Sequence, residues 1–244
     1  MARLHTYSQH FLRSPHTVAE LIGHSNIRKN DVVYDLGAGS GVITSVLANR
    51  CKEVVAVEVE PQALKKLHEN VGNVTNITIL EKDILRLIPS HESYKIFSNI
   101  PFNLSSQIIQ RFVFDVPQPK SIYLIVQKQF ARKLVPGNDH FTSLLSAEVA
   151  PFFSARIRKP LRKTDFTPPP AVDTVLLELK QREEPLLPTK ETGRYREFIQ
   201  KSFSTQKYFQ ALPRANAGLS PELRPSQLTL EQWLALYKHI SLEV

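Results

Sequence analysis

Over its first 145 residues, the chain alternates short apolar, β-branched runs with stretches of helical character. Val32-Val33-Tyr34-Asp35 reads as a short buried strand, and the turn after it leads into Val42 to Asn49, whose apolar residues suit a packed helix. Val54 to Glu58 is a β-branched run ending in an acid. Pro61, a residue favoured at the first helical position, then opens a stretch from Gln62 to Val71. Ile77 to Glu81, Lys95 to Ser98 and Ile122 to Val126 are the third, fourth and fifth strands, with a helix from Gln107 to Phe114 between the last two. This alternation predicts an α/β fold with a doubly wound, mostly parallel sheet of Rossmann-like type.

Beyond residue 145 the rhythm changes. Phe152 to Ile157 and Thr174 to Leu179 are strand candidates around a loop rich in Arg, Lys and Pro, which suggests a hairpin-like end to the sheet. Pro185 and Pro188 then precede helices from Gly193 to Phe203 and from Leu230 to His239, with a Pro-containing connector, Pro213 to Pro225, between them. The expected organisation is one domain over residues 1–181 and a small all-helical, RNA-binding domain over residues 182–244.

Three glycines, Gly37, Gly39 and Gly41, follow the first strand in Asp35-Leu36-Gly37-Ala38-Gly39-Ser40-Gly41 and let the backbone pass close to a ligand. A dinucleotide fingerprint would need glycine at position 42, where the chain has Val42, so the pattern fits S-adenosylmethionine better. In that reading the turn, Ala38 included, accommodates the methionyl part. Glu58, with Val59 beside it at the end of the second strand, accepts from both ribose hydroxyls. Asp83 accepts from the adenine amino group, and Ile84 lines the adenine plane. Each feature alone also describes a tight connection or a solvated helix cap; together they occupy successive strand ends.

At the end of the fourth strand stands Asn99-Ile100-Pro101-Phe102. An exocyclic adenine amine is a poor nucleophile because its lone pair is delocalised into the ring. Two acceptors aimed at its hydrogens, the Asn99 side-chain oxygen and the Ile100 carbonyl, favour a pyramidal nitrogen. Pro101 stiffens the turn, and Phe102 offers a face for the base. Taken alone, the tetrapeptide reads rather as a Pro-bearing loop with a buried Phe; the cofactor motifs beside it turn the reading to base binding.

The charge balance, 31 Lys and Arg against 23 Asp and Glu with a pI near 9.6, favours a polyanionic partner, with nucleic acid ahead of an anionic membrane. Arg156, Arg158, Lys159, Arg162 and Lys163 form the densest basic run, and Lys128, Arg132 and Lys133 a second cluster. Both are candidates for phosphate contacts, and both also describe an ordinary solvated surface. The single cysteine, Cys51, excludes an internal disulfide, and the eight His show no metal-ligand spacing. Without a signal-peptide core or a long apolar run, a soluble cytoplasmic protein is expected.

In order and spacing these motifs resemble the rRNA adenine N6-methyltransferase superfamily, and within it the erythromycin-resistance (Erm) branch that acts on 23S rRNA. Gln9-His10-Phe11-Leu12 is similar to an N-terminal cofactor-covering motif that usually reads Gln-Asn-Phe-Leu, and Phe166-Thr167-Pro168-Pro169-Pro170-Ala171-Val172-Asp173 also fits the pattern. Small-subunit dimethyltransferases typically carry Asn-Leu-Pro-Tyr and a longer C-terminal domain. Ile100, Phe102, the segment Gly137-Asn138-Asp139-His140-Phe141 and the short tail resemble the Erm branch. The resemblance implies methyl transfer to N6 of one 23S adenine, before ribosome assembly is complete, by a monomer that confers macrolide, lincosamide and streptogramin B resistance. It places Gln9, His10 and Leu12 at the cofactor, and Phe11, Phe102 and Phe166 at the base, with Phe102 and Phe166 stacking on its two sides. The alternatives are a small-subunit rRNA dimethyltransferase, a DNA adenine methyltransferase, and a nucleic-acid-binding factor that keeps the fold without catalysis.

Overall fold

The structure, a computed structural model, describes residues 10–135 and 142–241. The chain divides into two compact units, one of Met1–Ala131 with Arg156–Lys180 and one of Arg132–Ala155 with Gln181–Val244. Among the described residues no helix is long and apolar enough to cross a membrane, and no cluster of His, Cys, Asp and Glu could hold a metal ion.

The elements of the first half run β1 (Phe11–Leu12), α1 (Pro15–Gly23), β2 (Val32–Leu36), α2 (Val42–Ala48), β3 (Glu53–Glu58), α3 (Pro61–Val71), β4 (Ile77–Glu81), β5 (Lys95–Asn99), α4 (Ser105–Gln110) and β6 (Ser121–Gln127). There follow α5 (Lys128–Leu134), α6 (Leu144–Val149), β7 (Phe153–Leu161), β8 (Phe166–Thr167), β9 (Thr174–Gln181), α7 (Thr192–Ser204), α8 (Gln206–Ala211) and α9 (Leu230–Ser241). Seven strands form one sheet in the order β4-β3-β2-β5-β6-β9-β7. The pairings from β4 to β6 are parallel, and β9 joins β6 antiparallel. Parallel strands covered on both faces need apolar residues at nearly every position, and β3 and β6 are buried almost throughout. The edge strand β4 has no fully buried residue, with Thr78 and Glu81 exposed.

The order of winding reverses between β2 and β5. The crevice outside the carboxyl ends of two such strands is where open α/β sheets bind ligands. The Gly-rich turn leaves β2 there and the Asn99 tetrapeptide leaves β5. A hydrogen bond from Leu36 N to Ser98 Oγ, 2.7 Å, ties the two strand ends together.

Local sequence accounts for the helix starts. Ser14 caps α1 by accepting from His16 N, with Pro15 at the first helical position, and Glu60 caps α3 by accepting from Gln62 N and Ala63 N. The stretch expected as one helix from Gln107 to Phe114 is α4 followed by a π-helical turn, Arg111–Asp115. Outside the sheet, β1 and β8 form a two-stranded antiparallel ribbon in which Leu12 faces Phe166 and Phe11 faces Thr167.

In the second unit, residues 132–155 group with the C-terminal helices, so its boundaries differ from a single cut at residue 181. The Tyr195 hydroxyl donates to the Ala147 carbonyl at 3.1 Å, and buried Glu148 accepts from Gln200 Nε2 at 2.7 Å. Trp233, fully buried, centres an aromatic core, stacked with Phe203 and edge-on to Phe198.

Candidate active site

At the carboxyl end of β2, Gly37 and Gly39 adopt φ of +70° and +58°, a region that costs L-residues with a side chain. The Gly37 and Ala38 N–H groups both donate to the Val57 carbonyl, at 2.8 and 3.0 Å, which pins the turn against β3. The next N–H, that of Gly39, donates to Glu58 Oε2 at 2.8 Å. Glu58 Oε1 accepts from Val59 N and Glu60 N, at 2.8 and 2.9 Å. Three backbone donors thus hold a buried carboxylate in one orientation, and charge-assisted bonds of this kind are the strong ones. One strand further out, Asp83 caps a 3-10 turn by accepting from Leu85 N at 2.9 Å, and Ile84 Cδ1 lies 3.5 Å from the place a Cβ on Gly37 would take.

Beneath the turn, Asp35 is fully buried and accepts from Thr44 Oγ1 at 2.7 Å. Burial pushes its carboxyl up to about 7, with the neighbouring Glu58 charge adding to the rise and the Thr44 bond opposing it.

On the other side of the crevice, Asn99 Nδ2 donates to the His10 backbone carbonyl at 2.6 Å. Its Oδ1 is therefore the atom left to accept from a ligand. The chain then folds back, with Leu104 N donating to the Pro101 carbonyl at 2.9 Å and Ser105 Oγ to the Phe102 carbonyl at 2.8 Å. The Phe102 ring stacks on the His10 imidazole, centroids 5.7 Å apart and planes at 28°. His10 Nδ1 donates to the Pro168 carbonyl at 2.7 Å.

These strand ends enclose one cavity of about 350 Å³. It is lined by His10, Phe11 and Leu12, by Gly37 to Ser40, by Glu58 and Val59, by Asp83 and Ile84, and by Asn99 to Phe102. Its size, its glycine cradle and its oriented buried carboxylate suit a nucleoside cofactor, while the tetrapeptide adds an acceptor and an aromatic face for a planar base.

A sequence model of the family described as ribosomal RNA adenine dimethylase matches residues 3–210. The chain belongs to this family. It is 31% identical over 244 residues to an rRNA adenine N-6-methyltransferase of Limosilactobacillus reuteri, covering 96% of each chain. It is 33% identical over 244 residues to another from Staphylococcus aureus, again covering 96% of each. Among solved structures, the 23S rRNA methyltransferase ErmE superposes with a TM-score of 0.80 at 27% identity, covering 95% of this chain and 99% of that one. As a member of the adenine dimethylase family the protein is an S-adenosylmethionine-dependent rRNA methyltransferase, and the fold expected from the alternating strands and helices is the one observed.

Two expected site residues of this dimethylase-family chain lie elsewhere. Phe166 does not line the cavity: it is wholly buried in the core with Leu12, Val18, Leu21 and Phe97, because pairing of β8 with β1 turns it inward. Gly41 does not line the cavity. It starts α2 at φ +88°, and a Cβ there would come within 2.8 Å of Leu67 Cδ1, so its role is helix packing. Gln9 lies outside the described residues, as does the segment 137–141. Conversely, Val42, Ile43, Glu60 and Leu104 line the cavity and were not anticipated, although each directly follows or adjoins a motif that was.

The basic residues divide by what they already hold. Lys159 pairs with Glu20, while Arg158 donates to the His24 carbonyl at 2.9 Å and faces Glu178 at 3.7 Å. Arg162 pairs with Asp165 at 3.1 Å, Lys163 donates to the Ala171 carbonyl at 2.7 Å, and Lys128 lies 3.7 Å from Asp173. Arg156 is exposed in the first unit, and Arg132 and Lys133 are exposed in the second. The one cysteine, Cys51, is buried with its thiol pushed up to about 11 by burial, which leaves it inert.

Proposed function

We propose that the protein transfers methyl groups from S-adenosylmethionine to the exocyclic N6 of one adenine in 23S rRNA and thereby confers resistance to macrolides, lincosamides and streptogramin B. The observation that carries the 23S reading is the likeness to the 23S rRNA methyltransferase ErmE over 95% of the chain. Ile100 and Phe102 in the tetrapeptide and the short segment 182–244 support the same branch. The enzyme acts as a cytoplasmic monomer on rRNA not yet fully assembled into ribosomes, with residues 182–244 contributing RNA binding.

When bound, the cofactor would supply a methyl group on a positively charged sulfonium; transfer of that methyl to the amine nitrogen leaves a neutral thioether, and the nitrogen releases one proton to solvent. The protein's task is positioning. Gly37, Ala38 and Gly39 take the methionyl part, Glu58 the ribose hydroxyls, and Asp83, Ile84 and Val59 the adenine. Asn99 Oδ1 and the Ile100 carbonyl accept from the target amine and return its lone pair to nitrogen, Pro101 holds the two acceptors in place, and Phe102 stacks on the base. Bringing the adenine out of its stack costs a few kcal/mol, less in a loop than in a duplex. Arg132, Lys133, Arg156, Arg162 and Lys163 neutralise phosphates of the RNA.

The test is transfer of tritium from labelled cofactor to deproteinised 23S rRNA, with the modified nucleotide mapped at base resolution. The expected result is one labelled 23S adenine, lost in Asn99→Ala. Label on small-subunit rRNA alone would instead assign the small-subunit dimethyltransferase activity. Resistance that persists in Asn99→Ala but vanishes on charge reversal of Arg162 and Lys163 would make the protein a binding factor.

A further inference from the structure

The second unit holds a cavity of its own, about 660 Å³, bounded by the end of α7, by α8 and by the connector that follows. Phe203 gives one ring face to Trp233 and, half-buried, lines the cavity. The Arg214 guanidinium lies over the Phe209 ring, 5.2 Å from its centroid, and Nη1 donates to the Pro221 carbonyl at 2.7 Å. These two contacts set the guanidinium plane and leave most of its N–H groups uncommitted. Arg224 also lines the cavity. Neither arginine is paired with a carboxylate among the described residues, and the wall sets a single acid, Glu222, against the two. Gln206 and Gln210, exposed and one turn apart on α8, present carboxamides that no described residue engages.

Unpaired guanidinium charge calls for an anion, a fixed planar group calls for a flat one, and two free carboxamides offer donors and acceptors to an edge. A nucleotide outside a duplex carries all three: a phosphate, an exposed π face and an open hydrogen-bonding edge. An acidic peptide would engage the arginines and leave the ring and both carboxamides idle. We propose that this cavity binds one unpaired nucleotide of the substrate rRNA, other than the target adenine. Arg224 takes the phosphate, the Arg214 plane and Phe203 take the base, and Gln206 and Gln210 take its edge. This rests on the reading of residues 182–244 as RNA-binding, and it makes of that general attraction a site that selects single-stranded RNA.

The test uses full-length enzyme and whichever deproteinised rRNA accepts label from the cofactor. Ultraviolet crosslinking of thionucleobase-substituted transcript, mapped by mass spectrometry, is expected to mark the segment 202–226. Marks within residues 182–244 but outside that segment would overturn the site and leave the RNA-binding reading standing; no mark anywhere in 182–244 would defeat both. Arg224→Ala removes one phosphate contact, so the slope of log affinity against log salt is expected to flatten by about 0.7. Arg214→Lys keeps the charge and loses the plane. It should weaken RNA binding about 5- to 150-fold, the scale for one stacked base, with the slope retained. The Gln206→Ala, Gln210→Ala double variant weakens binding without altering the slope. These losses fall on KM for RNA rather than on kcat, and S-adenosylhomocysteine affinity and melting temperature hold at wild-type values. Wild-type RNA affinity in both Arg224→Ala and the double variant would overturn the proposal. So would losses confined to protein-bearing ribosomal particles, which would make the occupant a protein.

Discussion

The Asn99 side chain donates from Nδ2 to the His10 carbonyl at 2.6 Å, and a carbonyl cannot accept from an amide oxygen, so the amide has one possible orientation. That bond separates its two roles: the nitrogen anchors the segment that leads into β1, and the oxygen remains to accept from a substrate amine. Asn99→Asp keeps an acceptor but sets a carboxylate oxygen against the His10 carbonyl, so the side chain turns away. Asn99→Ala removes both functions. Both variants should lower kcat on the order of 10²-fold, the scale for losing one oriented polar group at a reacting centre. Single-turnover methyl transfer at saturating RNA measures this, and an Asp variant as active as wild type would contradict the anchoring role.

Glu58 shows how a binding residue is prepared by its own backbone. Its carboxylate accepts from Gly39 N, Val59 N and Glu60 N before any ligand is considered. Glu58→Gln puts an NH₂ where one of those donors points, leaving a buried N–H unpaired at a cost of about 1–3 kcal/mol. The expected outcome is a lower melting temperature together with a loss of S-adenosylhomocysteine affinity, read by thermal denaturation and calorimetry on the same preparations. A fall in affinity with no fall in stability would show that the backbone contacts are expendable.

Phe166 yields a prediction opposite to the one its motif invites. Because the ring is fully buried among Leu12, Val18, Leu21 and Phe97, Phe166→Ala leaves a core cavity and should destabilise the fold by about 3–5 kcal/mol. KM for RNA, measured well below the melting temperature, should stay near the wild-type value. Chemical denaturation and steady-state kinetics separate the two effects.

The Phe166 result also marks where the sequence stops being legible. The sheet strands β2 to β6 are runs of β-branched residues whose burial follows from the pattern, and Gly37, Glu58, Asp83 and Asn99 meet because they end successive strands of one parallel sheet. The β1–β8 ribbon has two residues in each strand, too few for a period-2 alternation to register, so which of Phe11 and Phe166 faces inward was decided by a pairing that the sequence does not display. Gly41 belongs to a glycine run whose members look equivalent, and only its distance from Leu67 on α3 distinguishes packing from binding. Helix α1 was missed despite a readable start at Ser14-Pro15, whereas the contact between Tyr195 and Ala147 that draws residues 132–155 into the second unit spans 48 positions and leaves no local signal.

Asp35 makes stability depend on pH in the sense opposite to a salt-bridged carboxylate. Burial, with a smaller contribution from Glu58, raises its folded-state value to about 7, while an unfolded Asp titrates near 3.9. Between those values the folded state holds the proton more tightly. The contribution of Asp35 to stability is therefore greatest below about pH 4, declines as pH rises through the window, and levels off above about 7, with a slope of at most about 1.4 kcal/mol per pH unit. In Asp35→Asn the side-chain oxygen still accepts from Thr44, and nothing titrates. Relative to wild type, the variant should thus gain stability from pH 5 to about pH 7 and keep a constant advantage from there to pH 8. Urea denaturation across that range is the measurement, and wild-type and variant curves that run parallel would mean that Asp35 is already ionised in the folded protein at pH 5.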